Sequence, residues 1–109
     1  MKLTGFAQYV QEELLGDISG ITIRRMFSGY GVYKDGVVFG MIIDDVLYFK
    51  VDDEIKSFFE NAQSKPFTYT HKSGKTVTMP YWELPPDVTE DKDELHKWVE
   101  RSVSVGRKK

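Results

Sequence analysis

Cysteine is absent from the 109-residue sequence. Disulfides, thiolate nucleophiles and metal or cluster sites built on cysteine are therefore excluded, and the composition fits a reducing compartment. Long apolar runs are absent as well. The longest, Val37–Ile43, falls far short of the roughly 20 residues that span a bilayer. The opening MKLTG has no apolar stretch and no small-residue cleavage site, so no signal peptide is read there and a soluble, cytoplasmic protein is expected. Excess positive charge is lacking too. The formal net charge is -2 and the pI about 5.7, which argues against a general nucleic-acid coat.

What is present is bulk for one core. Aromatic residues make up 14% of the chain and apolar residues 40%, enough for a single domain over residues 1–109 and too many for a disordered chain. Phe6, Tyr9, Val10 and Leu14 recur at helical spacing within residues 4–15, with Thr4 as N-cap and Gly16 as stop. Ile21 and Ile23 alternate with Thr22 and Arg24 as in a half-buried strand. Lys34-Asp35-Gly36 and Asp44-Asp45 read as tight turns around Val37–Ile43, whose apolar character on both faces places it centrally in a sheet. Asp52 caps a second helix carrying Ile55, Phe58, Phe59 and Ala62, which ends at Lys65-Pro66. Two strands follow, residues 67–71 and 76–81, and Pro80 predicts that the latter ends there or lies at an edge. Pro85-Pro86 reads as an extended connector. Asp91 and Glu94 have capping-box spacing ahead of a helix bearing Leu95, Trp98, Val99, Ser102 and Val103. The order α-β-β-β-β-α-β-β-α predicts an α+β fold, an antiparallel sheet with helices packed on it in two layers.

No residue set with the geometry of an active site is legible, and neither a catalytic group, a cofactor nor a metal is assigned. His71 and His96 lie in no motif with a nucleophile. Asp44-Asp45 and Asp52-Asp53 fall at opposite ends of one strand, too far apart to share a cation. Ser28-Gly29-Tyr30-Gly31 is followed by a strand and not by a helix, so it reads as a bulge or tight bend instead of a phosphate loop. The acidic stretch at residues 83–94 and the terminal Arg107-Lys108-Lys109 read as solvated surface and a frayed tail. Residues 79–85 (MPYWELP) join two large aromatics to two chain breakers, a core-capping turn or a binding ridge. Arg24 and Arg25, as strand neighbours, face opposite ways, so one of them at most joins a given patch.

Two segments together resemble a known family. Residues 24–33 (RRMFSGYGVY), with Pro66-Phe67-x-Tyr69, MPYWELP and Leu95-x-x-Trp98, resemble the N-terminal domain of the TfoX/Sxy competence regulators across about residues 6–105. Ser28 and Asp45 stand where glycine is usual in that family. The resemblance implies a bacterial transcription-regulatory role exercised through a protein partner, in the transcription machinery or the cyclic-AMP receptor protein. Longer members add a helical C-terminal domain, and this sequence stops at Lys109. The resulting expectation is a non-catalytic protein-binding module with Tyr30, Tyr81, Trp82 and Arg24 or Arg25 as contacts. Direct nucleic-acid binding through Arg24, Arg25, Arg101 and the basic tail, and a small-ligand carrier or enzyme, are the alternatives. A two-fold homodimer through an edge strand at Pro80 and the aromatic ridge is a further expectation.

Overall fold

Thr4 opens the helical layer: its hydroxyl accepts from Ala7 N–H at 3.3 Å, capping helix α1 (Gly5–Tyr9). The computed structural model describes residues 3–26 and 29–108. The segment does not stay α-helical to residue 15. It widens into a π-helical stretch, Val10–Leu14. With the wider turn, Ala7, Val10, Leu14 and Leu15 are buried, while Tyr9, expected on the apolar face, is 46% exposed. Gly16 is required after it, because a Cβ there would collide with the Glu12 carbonyl. The Lys92 ammonium donates to the carbonyls of Glu13 and Leu14, both at 3.2 Å. A cation thus satisfies the negative end of the helix.

Six strands form one antiparallel sheet: β1 (Ile21–Met26), β2 (Gly29–Lys34), β3 (Val37–Ile43), β4 (Val46–Lys50), β5 (Pro66–Thr70) and β6 (Thr76–Glu83), in the order β1-β2-β3-β4-β6-β5. The chain has the expected α+β, two-layer architecture, and β3 lies inside the sheet as its two apolar faces predict. The β2–β3 and β3–β4 turns use positive φ at Asp35 and Gly36 (50° and 82°) and at Asp44 and Asp45 (50° and 62°). This is the backbone twist that two-residue hairpins need. Of the bulge or tight bend expected at Ser28–Gly31, no bulge is seen at Gly29 or Gly31, which pair in regular register with β1, and the segment enters β2 at the reversal from β1, where Met26 pairs with Gly29; Ser28 lies outside the described residues. The irregularity falls one strand on: Val32 pairs with Gly40 and Tyr33 with Val38, leaving Phe39 as an extra residue in β3.

Three expectations need correction. Strand β6 runs straight through Pro80 and is an interior strand. The proline is tolerated because it falls at an irregularity: it lies beyond the last β4 pair, Lys50 with Tyr81, and where the β5 register shifts between the Pro66–Trp82 and Thr68–Thr78 pairs. Its carbonyl still accepts from Val51 N–H at 2.9 Å. Pro80 therefore does not mark an edge of the sheet, the feature on which the expected two-fold was drawn. Pro86, read as part of a connector, starts a short helix α3 (Pro86–Thr89), where its fixed φ suits the first turn. The tail is anchored as far as Lys108, which pairs with Asp52 (3.2 Å) and Glu54 (2.9 Å).

Helix α2 (Lys56–Asn61) follows the Asp52 carboxylate, which accepts from Glu54 and Ile55 N–H. Helix α4 (Lys92–Arg107) is capped by Asp91, which accepts from Asp93 and Glu94 N–H at 3.1 and 3.2 Å. It lays Leu95, Trp98, Val99, Ser102 and Val103 onto β3 and β4. Phe39 and Phe49 meet edge-to-face at 5.4 Å, and Phe59 and Trp98 at 4.7 Å. Phe58 does not join them fully. It is 41% exposed, with the Arg101 guanidinium stacked 3.8 Å above its ring. At the end of α4, Gly106 comes so close to β3 that a Cβ would strike the Val38 carbonyl.

Two outcomes follow from this packing. Gly106→Val forces α4 off β3 and lowers unfolding free energy in urea by about 1–3 kcal/mol, the usual cost of overpacking; unchanged stability would contradict the contact. Asp52 gives a pH signature. Desolvation pushes its carboxyl up, but hydrogen bonds from Ile55 N–H and Lys108 and the Lys108 charge outweigh this and hold it below its ordinary value. A depressed folded-state value contributes stability above the unfolded pKa of about 3.9, and that contribution disappears as pH falls through the folded value. Asp52→Asn should therefore flatten the acid limb of the stability profile below about pH 4.

Candidate functional site: the uncovered sheet face

Strand alternation decides which side chains the helices cover. On the helix side stand Ile23, Val32, Phe39, Ile42, Leu47, Phe49 and Val51. The opposite face carries Arg24, Met26, Gly31, Tyr33, Met41, Ile43, Tyr48, Lys50, Phe67, Tyr69, Met79 and Tyr81. Helices α1, α2 and α4 leave this second face without a covering layer.

Its centre is an apolar groove of about 640 Å³ lined by Met26, Met41, Ile43, Phe67, Tyr69, Met79 and Tyr81. The volume falls in the range of about 300–1,000 Å³ usual for binding pockets. These residues come from both edge strands, β1 and β5, as well as from β3 and β6. A flat six-stranded sheet would hold its edges about 24 Å apart, so the sheet curls toward its uncovered side. Phe67 packs edge-to-face on Tyr48 at 5.3 Å and lies 6.4 Å from Tyr69, making an aromatic row along one wall. Tyr69 is 43% exposed. At the other side Tyr33 folds back over Gly31, where a Cβ would come within 3.0 Å of its ring, and Arg24 stacks on Tyr33 at 5.5 Å. Burial first, and then the nearby Tyr33, pushes the Tyr81 hydroxyl above its ordinary value. Tyr48 is pushed the same way by burial and by the charges of Glu83 and Asp44.

The structure separates the five residues singled out from sequence. Arg24 and Tyr81 stand on the groove face. Trp82, next to Tyr81, points the other way and packs near Phe59 at 6.5 Å between ring centres. It is half-buried against the core on the helix side and cannot share a surface with Tyr81. Tyr30 is only 6% exposed, and its hydroxyl accepts from Thr4 N–H at 3.2 Å, joining the first helix to the sheet. It is therefore removed from the set of contacts. Arg25 is exposed at the β1 edge, on the helix side of the strand.

Comparison with protein families draws on the same segments. The profile of the TfoX N-terminal domain matches residues 13–105. The chain belongs to this family. Comparison with curated proteins gave no match. In this TfoX N-terminal domain Met26 of the first family segment and Met79 and Tyr81 of the second line the groove, so the two segments that mark the family meet on one face. Met26, Met41, Ile43, Phe67, Tyr69 and Met79 were missed as site residues. The available signal was Val37–Ile43: a strand apolar on both faces, in a chain whose helices cover one face only.

No group of three His, Asp or Glu among the described residues is placed to hold a metal ion, and no helix among them is long and apolar enough to cross a membrane. His96 pairs with Asp17 at 3.0 Å on the helix side, and His71 with Ser73 at 3.2 Å in the β5–β6 turn.

The groove face has a measurable alkaline response. Raised phenol values favour the neutral folded form, so their stabilisation is present below about pH 10 and fades as pH climbs through the folded values. Tyr81→Phe should reduce the loss of stability seen above about pH 10, measured by denaturant titration. An alkaline limb identical to that of the wild type would contradict the burial of this hydroxyl.

Proposed function

We propose that this TfoX N-terminal domain is a non-catalytic protein-binding module of a transcription-regulatory, competence-regulator type, and that it binds through the uncovered sheet face. The observation that carries this is the groove itself, an apolar and aromatic surface on a face the fold leaves unpaired. Contiguous apolar patches of this kind mark interaction sites in soluble domains. The lining offers methionine, isoleucine and aromatic contacts with two phenolic hydroxyls, Tyr69 and Tyr81. Methionine adapts to varied partner shapes, and tyrosine gives large contact area at low entropic cost. The family supports a regulatory setting, with the transcription machinery or the cyclic-AMP receptor protein as the partner that the resemblance favours.

Photo-crosslinking in cells tests the face. A photoreactive side chain placed at Tyr69, on the groove, should capture a discrete protein. The same group at Glu100, exposed on α4, should not. Equal capture from both positions, or capture from Glu100 alone, would move the interface to the helical side and sink the reading.

A further inference from the structure

We propose that the partner supplies an extended apolar segment flanked by acidic residues, which adds to the free edge of β5 as a further strand and lays its side chains over the groove. This deepens the protein-binding reading above and rests on it.

The two sheet edges differ in a way that selects β5. Strand β1 exposes Arg24 and Arg25, charges of the kind that discourage a neighbour. Strand β5, with the sequence PFTYT, has no charged residue and three exposed positions at its end. His71 N–H donates inward to the Lys75 carbonyl at 2.7 Å. By strand alternation the Tyr69 amide also turns toward β6, while the amides of Thr68 and Thr70 turn outward. Those outward groups are the template for an added strand. Side chains on one face of that strand would fall beside Phe67 and Tyr69, the two groove residues that β5 itself contributes.

Charge names the flanks of the segment. The molecule is acidic overall, yet its six strands carry Arg24, Arg25, Lys34 and Lys50 against Glu83 alone. Arg24 and Lys50 lie on the groove face; Lys50 is the direct neighbour of Tyr81. Lys72 and Lys75 sit in the turn at the end of β5. Glu83, on the same face as Tyr48, is 3.9 Å from Lys65. Glu83 and Asp44 lie by Tyr48, and the remaining rim, at Arg24, Lys50, Lys72 and Lys75, is cationic and complements a segment with an apolar middle and carboxylates at its ends. A second copy fits less well, because antiparallel β5 against β5 would bring Lys65 of one copy near Lys72 and Lys75 of the other.

The test is selection of random peptides, each long enough for one strand, on the full chain. The expected winners alternate apolar residues with period two and carry Asp or Glu at the ends. Binding of a selected peptide should be lost in Thr68→Pro, which removes one outward N–H at an edge where proline is tolerated. It should weaken roughly tenfold or more in Arg24→Glu/Lys50→Glu, with folding of both variants checked by circular dichroism. Winners with helical periodicity or basic ends, or full-strength binding by Thr68→Pro, would overturn strand addition while leaving the groove as an interface. An empty selection, dimerisation through β5 in light scattering, or tighter binding of a single-stranded oligonucleotide at the same residues would also overturn it. If in addition crosslinking from Tyr69 captures no protein, the broader reading falls with it.

Discussion

The seating of α4 on β3 is the contact on which the rest of the molecule depends. Gly106 lets the helix approach the Val38 carbonyl, and Leu95, Val99 and Val103 fill the space along it. Phe39, the extra residue of the β3 bulge, turns into this layer and meets Phe49. A fully buried aromatic of this kind is worth about 3–5 kcal/mol when truncated to alanine. Once α4 occupies one face of β3, the apolar side chains of the other face are covered by no helix and are reached only by neighbours in the curled sheet. The groove is thus a consequence of how the core is built.

Polar contacts fix the remaining parts around that seat. Tyr30 ties the start of the helical layer to β2, Lys92 caps the π-helical end, and Lys108 holds the end of α4 to the cap of α2. Surface pairs of this sort contribute little energy individually. Their effect is positional, since they hold the ends of helices whose middles are fastened by apolar contacts.

The legible part of the fold was what local chemistry controls. The Thr4 and Asp91 caps, the Asp52 turn ahead of α2, the Asp35-Gly36 and Asp44-Asp45 turns, and the buried stripe of the last helix follow from side chains acting on their own neighbourhood. What failed needed knowledge of partners. Pro80 is harmless because the β5 register shifts opposite it and β4 pairs only from Tyr81 on, a fact of sheet pairing that a single strand does not carry. Tyr30 and Trp82 looked like contacts because large aromatics serve both cores and interfaces, and only strand parity tells the two apart. That parity was applied to Arg24 and Arg25, and the same rule separates Tyr81 from Trp82. The π-helical widening at Val10–Leu14, which exposes Tyr9, had no visible signal in the residue spacing.

The central claim is that recognition happens on the sheet face and not on the helices. Three of the four methionines, Met26, Met41 and Met79, line the groove, so methionine methyl groups report on it directly. In a chain labelled with ¹³C at those methyls, adding the protein captured from cells should shift or broaden the three groove signals. Binding that leaves all three unmoved, with changes confined to amides on the outer side of α4, would contradict the account.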